Sequence, residues 1–356
     1  MDAKLSDHAL ALDHASIAPA LLGWYDAHAR DLPWRSRPGE MADPYRVWLS
    51  EIMLQQTTVA TVRPRFAQFI ARWPTVQDLA ATDDADLMSA WAGLGYYARA
   101  RNLLACARAV VREHGGVFPA DEALLRTLPG VGDYTAAAIA AIAFGKRAVV
   151  VDGNVERVVA RLFAIDTPLP AAKPLIRAAA DAITPADRAG DLAQAMMDLG
   201  SSLCGPRATQ CLLCPLQAHC RATAFGTPAA FPVKASKKAK PHRHGTVFWL
   251  ERDGHVLLVR RPDKGLLGGM RALPTGPWTE TPSGIADAPV PGIDWQIVPD
   301  RVIHVFTHFT LELSLASGRA EGHEAPADAE WWAINALDSA GLPTVFAKAA
   351  KLARQK

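Results

Sequence analysis

The sequence predicts an all-α N-terminal domain followed by an α+β C-terminal domain. The chain has 356 residues, more than one domain usually holds, which favours two hydrophobic cores. From Ile17 to about Phe225, apolar residues recur at helical spacing, as in amphipathic helices. Beyond a basic segment that contains several prolines, apolar and polar residues alternate, as in half-buried strands. The two patterns therefore indicate different architectures for the two parts of the chain.

The domain limits follow from these changes of pattern. We expect the helical domain to cover residues 1–225 and the α+β domain to cover residues 245–356. The segment between them, 226–244, contains prolines, lysines and arginine but no acidic residue and few large apolar ones. That composition is typical of a linker, and we expect a basic one here.

Four segments carry the secondary structure predicted for the C-terminal domain. Thr246–Leu250 and His255–Arg260 alternate on either side of a turn at Asp253-Gly254, the pattern of a β-hairpin. Arg301–Leu315 alternates over a longer run, and Thr344–Leu352 has the spacing of a closing helix. Strands combined with a helix give the α+β assignment.

Composition excludes several classes of protein. Hydrophobic residues make up 50% and charged residues 21% of the chain, which is typical of a globular protein and not of a disordered one. The net charge of +2 is too small to reveal a polyanionic partner, so any basic surface must be local. The longest apolar stretches, such as Ala136–Phe144, are too short to cross a bilayer. We expect no membrane span and no export signal.

Four of the five cysteines lie close together in the sequence. Cys204, Cys211, Cys214 and Cys220 are separated by six, two and five residues, whereas Cys106 stands alone in an apolar helical stretch. This distribution is typical of a metal site and not of a disulfide framework, which indicates a reducing compartment, either the cytoplasm of a prokaryote or an organelle. Four thiolates suit either tetrahedral zinc or a [4Fe-4S] cluster, and the residues alone leave both open.

A glycine-containing turn separates two helical stretches at Leu128–Gly132. Gly130 and Gly132 permit a tight backbone turn, and the free amides at the start of the next helix can hold a DNA phosphate. Such a contact positions a duplex without reading its sequence. An ordinary helical hairpin with the same glycines is the alternative.

Further motifs occur in order along the helical domain, and with them the chain resembles the MutY family of adenine DNA glycosylases. This family belongs to the helix-hairpin-helix superfamily that also contains endonuclease III. The resemblance covers nearly the entire chain. It rests on Leu32–Arg35, Ser50–Thr57, Gly93–Asn102, Leu128–Gly132, Val151–Val155, Gln194–Gly200 and the four clustered cysteines.

The resemblance implies a fold, a reaction and a cofactor. The fold is a helix-hairpin-helix glycosylase with an iron–sulfur loop at 204–220, followed by a Nudix-like domain that recognises 8-oxoguanine. The reaction is hydrolysis of the N-glycosidic bond of adenine opposite 8-oxoguanine or guanine in double-stranded DNA, which leaves an abasic site. The cofactor is a [4Fe-4S] cluster on the four cysteines. We expect a monomer in the bacterial cytoplasm, associated with the nucleoid.

Two carboxylates are the candidates for the chemistry. Two carboxyl groups in different environments can protonate the leaving base and stabilise an oxocarbenium-like sugar. Glu51 lies in an apolar helix that would raise its pKa and suit it to act as the acid, although an internal hydrogen bond is the alternative role. By resemblance, it is the residue that protonates adenine at N7. By resemblance, Asp152 acts on the sugar cation, either electrostatically or through a covalent intermediate, and Asn154 helps to orient the site. The spacing also fits a helix N-cap. The two roles of Asp152 are compatible.

Tyr134 distinguishes two subclasses of the superfamily. Endonuclease III and its bifunctional relatives have a lysine here, which forms a Schiff base with the sugar and permits strand cleavage. A tyrosine cannot form a Schiff base, so we expect a monofunctional enzyme with Tyr134 near the sugar cation. A core aromatic residue is the alternative interpretation.

Several polar and aromatic residues would handle the extruded base and the base it leaves behind. By resemblance, Gln56 and Tyr96 wedge around the base opposite the adenine, with Gln55 and Thr57 beside them. Gly130 and Gly132 hold the phosphate. The residues expected to line the adenine pocket are Arg30, Trp34, Arg35 and Gln194.

The second domain carries a reading motif at Phe306–Phe309, in which Thr307 stands where the family has serine. Thr307 and His308 would test the 8-oxoguanine. Both side chains can reach one base only if the strand bends or bulges there; a continuous strand with exposed histidines is the alternative. The Glu-rich helix of true Nudix hydrolases is missing after Pro274, so we do not expect a pyrophosphohydrolase.

Two other functions remain open from the sequence. One is a bifunctional endonuclease III-like glycosylase/lyase for oxidised pyrimidines, which Tyr134 and the second domain oppose. The other is a non-catalytic DNA-damage binding protein, which the presence of both carboxylates opposes.

Overall fold

A computed structural model describes residues 14–235, 240–262, 265–282, 284–320 and 329–355. It divides the chain into two compact units, one ending at residue 236 and the other beginning at residue 237. No helix within the described residues is both long enough and apolar enough to cross a membrane.

The first unit is built from helices, which confirms the predicted all-α architecture. Its longer helices carry the core, and short turns of 3₁₀ helix follow them at Cys211–Leu213, Gln217–His219 and Pro228–Ala230. In chain order the helices are α1 (His14–His28), α2 (Pro44–Leu54), α3 (Val59–Arg72), α4 (Val76–Ala80), α5 (Asp84–Ala90), α6 (Ala98–His114), α7 (Glu122–Thr127), α8 (Asp133–Phe144), α9 (Gly153–Leu162), α10 (Lys173–Ile183), α11 (Ala189–Ser202) and α12 (Arg221–Ala224).

Helix α8 runs through the centre of this unit. Its alanine-rich sequence is buried along nearly its whole length, because small side chains let neighbouring helices approach closely. One close approach is at Gly190 of α11, where an added Cβ would lie 2.4 Å from the carbonyl oxygen of Ala141. Helices α2, α7 and α11 all pack on α8, so this helix sets the positions of the surrounding elements.

The described residues of the second unit form a mixed sheet with a packed helix, as the alternating pattern predicted. Strand order is β3-β2-β1-β5-β4, and β6 also pairs with β2; β1 and β5 are parallel, and the other pairs are antiparallel. The elements are β1 (His242–Arg252), β2 (His255–Arg260), β3 (Arg271–Ala272), β4 (Gln296–Val305), β5 (Thr310–Arg319), β6 (Ala329–Ala333) and α13 (Thr344–Ala353), with a 3₁₀ helix at Ile334–Ser339.

One strand interpretation from the sequence is wrong. The alternating run Arg301–Leu315 is not a continuous strand but the second part of β4, a tight turn and the first part of β5. The amide of Phe306 donates to the carbonyl of Phe309 at 2.9 Å and closes the turn. Alternation alone could not reveal it because both strands keep an apolar inner face on either side of the turn. The chain therefore reverses at the reading motif instead of bending there.

The segment predicted as a linker is structured at both ends. Pro228–Ala230 forms a 3₁₀ helix, and the carbonyl of Val233 accepts a 2.9 Å hydrogen bond from the amide of Leu169. Strand β1 begins already at His242 and pairs with β5 from that residue. Residues 236–239 lie outside the described part of the chain. Local composition did not show these contacts because their partners are distant in sequence.

Candidate active site

Helix α2 presents Glu51 to the interior of the helical unit. Pro44 occupies the first turn, and the Asp43 side chain caps the helix by accepting from the amide of Tyr45 at 2.8 Å. Every residue from Val47 to Met53 is buried, and Glu51 is only 9% exposed. The helix therefore carries a carboxyl group into apolar surroundings.

The environment of Glu51 raises its pKa to about 7. Burial is the largest cause, because removing water disfavours the charged form. The Tyr134 hydroxyl donates a 2.8 Å hydrogen bond to Oε2 of Glu51 and lowers the pKa, while the negative charge of Asp152 raises it and Arg35 lowers it. Around neutral pH a large fraction of Glu51 is thus protonated and able to donate a proton, as expected from the sequence.

Asp152 caps helix α9. One of its oxygens accepts from the amides of Asn154 at 2.9 Å and Val155 at 2.7 Å. The other oxygen accepts a 3.0 Å hydrogen bond from the side-chain amide of Asn154. The N-cap interpretation is therefore confirmed. The same contacts fix the carboxylate at the edge of a cavity that Glu51 also lines.

That cavity has a volume of about 390 Å³ and collects most of the predicted site residues. Asp198, which is 1% exposed, binds two arginines of the cavity lining. It accepts from Nε of Arg30 at 2.6 Å and from Nη1 of Arg35 at 2.7 Å. Sequence reasoning did not single out Asp198, although it lies in the quoted 194–200 motif. The predicted site residues that line the cavity are Arg30, Trp34, Arg35, Glu51, Gln55, Gln56, Thr57, Tyr134, Asp152, Asn154 and Gln194.

The remaining predicted residues lie outside this cavity. Tyr96 is 64% exposed, and Gly130 and Gly132 form the exposed turn between α7 and α8. Gly130 has a φ of 74°, and an added Cβ there would lie 2.8 Å from Cβ of Asn102, so a larger residue would not fit. Helix α8 begins after Gly132 without a side-chain cap, which leaves its first amides available to an anion.

Thr307 and His308 belong to the second unit, where both are exposed on the β4–β5 turn. The flanking residues are less exposed, Phe306 being half-buried and Phe309 buried, and their rings pack together with centroids 4.9 Å apart. Trp278 stacks on Phe306 at 5.7 Å. This aromatic packing supports the turn from behind and leaves the two polar side chains free to meet a ligand.

The four clustered cysteines are half-buried free thiols in the loop after α11. Within the described ranges, no group of three or more His, Cys, Asp or Glu side chains is arranged to hold a single metal ion. Arg161, which is 2% exposed, donates to the sulfur of Cys204 at 3.1 Å and to its carbonyl oxygen at 3.2 Å. The loop is therefore attached to α9 through a buried guanidinium.

A second arginine of α9 connects this loop to the cavity. Arg157 donates from Nε to the carbonyl of Cys204 and from Nη2 to Oδ1 of Asn154, each at 2.9 Å. Asn154 in turn binds Asp152. Sequence reasoning missed both Arg157 and Arg161. Their one-turn spacing on α9 was the available signal, but Cys204, the partner that they share, lies more than forty residues away.

Comparison with known proteins identifies the family. The family described as "HhH-GPD superfamily base excision DNA repair protein" matches residues 49–184, and the NUDIX domain family matches residues 246–352. A human adenine DNA glycosylase is 34% identical over 98% of this chain and 76% of its own length. The chain belongs to the adenine DNA glycosylase family. The mouse adenine DNA glycosylase is 36% identical over 98% of this chain and 80% of its own length.

Solved structures confirm the fold of the helical unit of this adenine DNA glycosylase family member. A thermostable thymine-DNA glycosylase matches with a TM-score of 0.53 and 28% identity, covering 60% of this chain and 97% of its own. Endonuclease III trapped in a covalent intermediate with DNA matches with a TM-score of 0.50 and 25% identity, covering 60% and 99%. The predicted resemblance to the helix-hairpin-helix glycosylases and the Nudix-like assignment are both confirmed.

Proposed function

We propose that this enzyme removes adenine paired with 8-oxoguanine or guanine from double-stranded DNA by hydrolysis, leaving an abasic site. One observation carries the proposal: a buried carboxyl group with a pKa of about 7 and a capped carboxylate line the same cavity. Base removal needs a proton donor and an anion in different environments. Glu51 and Asp152 meet that requirement.

Glu51 supplies the proton. With its pKa near neutrality, it is protonated often enough to transfer a proton to N7 of an adenine in the cavity, and the resulting carboxylate can then accept a proton from water. Asp152 supplies the negative charge that stabilises the sugar cation as the bond to the base breaks. The amides of Asn154 and Val155 fix its carboxylate, so little reorganisation is needed when the cation forms.

The hydroxyl of Tyr134 favours a monofunctional enzyme. Burial and the neighbouring carboxylates hold the pKa of Tyr134 well above its usual range, so the hydroxyl stays protonated and serves as a hydrogen-bond donor to Glu51. It offers neither an amine for a Schiff base nor a phenolate nucleophile. Water is therefore the nucleophile that adds to the sugar cation. The lyase alternative would need an amine from another residue.

The DNA contacts follow from the exposed elements. The uncapped start of α8 offers amides to a backbone phosphate, and Gln56 and Tyr96 are exposed and able to occupy the space that the extruded base leaves. In the second unit, Thr307 and His308 offer a hydroxyl and an imidazole that can test the C8 carbonyl and the N7 proton of 8-oxoguanine. These two side chains would distinguish 8-oxoguanine from guanine.

The donor set of the cysteine loop fits a [4Fe-4S] cluster. Cys204, Cys211, Cys214 and Cys220 are four half-buried thiols in one short loop, and four thiolates are the ligand set of such a cluster. The positive charge of Arg161 beside Cys204 suits thiolate ligands. Bound there, the cluster would cross-link the loop at the end of the helical unit. Analysis of iron, sulfide and zinc in the purified protein would distinguish a cluster from a zinc site.

One assay tests the catalytic proposal. Duplexes with adenine opposite 8-oxoguanine, guanine or thymine are incubated with the protein and scored for base release, with and without alkali. We expect release opposite 8-oxoguanine and guanine, and strand breaks only after alkali. Breaks without alkali would support the glycosylase/lyase alternative. Tight binding without release of any base would support a non-catalytic damage-binding protein.

A further inference from the structure

Two exposed residues beside the cavity share an unusual backbone conformation. Gln56 has a φ of 55° and Tyr96 a φ of 50°, in the left-handed region that residues with a Cβ rarely adopt. Gln56 follows the end of α2, and Tyr96 precedes α6. Such conformations persist only where the surroundings hold them, and they concentrate at functional sites.

A single guanidinium holds both segments. Nη1 of Arg99, on α6, donates to the carbonyls of Ile52 and Met53, each at 3.0 Å. Nη2 donates to Oγ1 of Thr57 at 3.1 Å. The same nitrogen donates to two carbonyls of the loop before α6, those of Leu94 at 2.8 Å and Gly95 at 3.3 Å.

These contacts bracket the two strained residues. On one segment, Arg99 binds Met53 and Thr57, before and after Gln56. On the other, it binds the carbonyl of Gly95, directly before Tyr96, and its guanidinium carbon lies 5.6 Å from the centre of the Tyr96 ring. The separation of the two segments is therefore set by one rigid, planar group.

The acceptors explain why an arginine stands here. Ile52 and Met53 lie in the last turn of α2, where carbonyls have no partner within the helix and the helix dipole is negative. Among the described residues, no acidic side chain forms an ion pair with Arg99, so carbonyl oxygens compensate its charge. A lysine carries the charge but has one nitrogen and cannot reach five acceptors on two segments.

We propose that Arg99 is a positioning residue that holds Gln56 and Tyr96 at a fixed separation, so that both enter the duplex together when the target base is extruded. This inference rests on the proposed function, in which Gln56 and Tyr96 occupy the space around the base opposite the adenine. Arg99 itself does not line the cavity, although it donates a hydrogen bond to the lining residue Thr57. It acts through the two segments that it joins.

The test compares Arg99→Lys with Arg108→Lys in the full-length protein. Arg108 is a matched control on the same helix: its guanidinium binds the carbonyl of Thr82 and the carboxylate of Asp84, each at 3.0 Å, away from the cavity. We expect single-turnover adenine release by Arg99→Lys to fall about 10-fold or more, since small misplacements of positioning groups have effects of this size. The release rate of Arg108→Lys should stay within about twofold of the wild-type rate, because surface substitutions usually have small effects.

Base extrusion is a second measurement, and it would not change if Arg99 only stabilised the fold. With 2-aminopurine at the target position, the fluorescence rise on binding should shrink for Arg99→Lys while its Tm stays close to that of Arg108→Lys. The effect should also vanish on a Gln56→Ala/Tyr96→Ala background, because a residue that acts only through those side chains has nothing left to position. If Arg99→Lys does not fold, Thr57→Val removes one acceptor and should give the same pattern, weaker.

Two results would overturn the inference. One is a rate loss for Arg99→Lys that persists in full on the Gln56→Ala/Tyr96→Ala background. The other is unchanged release and extrusion in Arg99→Lys. A wild-type protein that releases no adenine would contradict the proposed function instead, and the 2-aminopurine signal would still report on Arg99.

Discussion

The Tyr134 hydroxyl donates a 2.8 Å hydrogen bond to Oε2 of Glu51, and this contact opposes the effect of burial on the same carboxyl group. Burial favours the neutral acid, whereas the hydrogen bond favours the carboxylate. The outcome, a pKa of about 7, keeps both forms of Glu51 populated at neutral pH. A group poised in this way can give a proton to the leaving base and regain one within a cycle.

Replacement of Tyr134 by phenylalanine should shift the pH dependence of adenine release. The hydrogen bond lowers the pKa of Glu51, so its loss raises that pKa above about 7. In the proposed mechanism, release requires protonated Glu51 and therefore declines as pH rises through this pKa. We expect the decline to begin at higher pH in Tyr134→Phe, measured as single-turnover rates from pH 5 to pH 10.

Tyr45→Phe is the control for this prediction. Tyr45 is a buried tyrosine that donates to the carbonyl of Trp73 at 2.8 Å and does not line the cavity. The Tyr45→Phe variant should show the same pH profile of adenine release as wild type. A decline that stays at the same pH in Tyr134→Phe would mean that another group governs the profile.

Glu51→Gln should abolish adenine release and leave binding to the lesion duplex largely intact. Glutamine keeps the shape of the side chain but has no proton to donate to N7 of the base. Release is measured under single turnover and binding by titration of a labelled duplex. A variant that turns over at a near-normal rate would remove Glu51 from the mechanism.

The same substitution should stabilise the protein at high pH. The pKa of Glu51 lies near 7 in the folded protein against an ordinary 4.5, so the folded state binds this proton more tightly than the unfolded state. Wild type therefore loses stability between about pH 4.5 and pH 7, by up to about 3 kcal/mol, and Glu51→Gln does not. Urea unfolding of both proteins at pH 4.5 and pH 8 measures the difference. If Glu51→Gln were more stable than wild type by the same free energy of unfolding at both pH values, the raised pKa of Glu51 would be contradicted.

The sequence predicted this site in part, and the reason lies in sequence distance. Glu51 was identified because its apolar neighbours are adjacent in the chain and its desolvation follows from them. Its contact with Tyr134 could not be predicted, since the two residues are 83 positions apart and meet only through the packing of α2 on α8. The same holds for the ion pairs of Asp198 with Arg30 and Arg35.

The fold shows the same limit. Periodicity predicted β2 over its full length, because a strand has a local signature. It did not predict the turn at Phe306–Phe309, where pairing between β4 and β5 determines the reversal. It also did not predict the hydrogen bond that ties Val233 to Leu169, which shortens the linker.

Asp152→Asn should lose catalysis without a comparable loss of stability. Asparagine caps helices about as well as aspartate, but it offers no charge to the sugar cation. We expect adenine release to fall about 100-fold or more, as when a group that stabilises transition-state charge is removed. Single-turnover rates and thermal unfolding measure the two effects separately.

Asp121→Asn provides the matched control. Asp121 caps α7 by accepting from the amide of Leu124 at 2.9 Å, away from the cavity. Its substitution should change Tm about as much as Asp152→Asn does and leave the rate unchanged. If Asp152→Asn instead unfolds while its folded fraction retains full activity, Asp152 is only a cap.

Recognition of 8-oxoguanine should depend on Thr307 and His308. The double variant Thr307→Ala/His308→Ala keeps the aromatic packing of Phe306 on Trp278, so the β4–β5 turn should persist. Each lost hydrogen bond costs about 1 kcal/mol. The preference for 8-oxoguanine over guanine should therefore fall about 30-fold, while release opposite guanine changes little. The ratio of kcat/KM on the two duplexes measures the preference.

His255→Ala controls for the loss of an exposed imidazole in the same unit. His255 lies on the other hairpin, where its Nδ1 contacts the carbonyl of Asp253 at 2.9 Å. The preference of this variant should match that of wild type. An equal loss on both duplexes in Thr307→Ala/His308→Ala would mean that the turn provides general affinity only. Discrimination would then have to come from the helical unit, where Gln56 and Tyr96 are exposed and are the side chains that we propose to contact the opposite base.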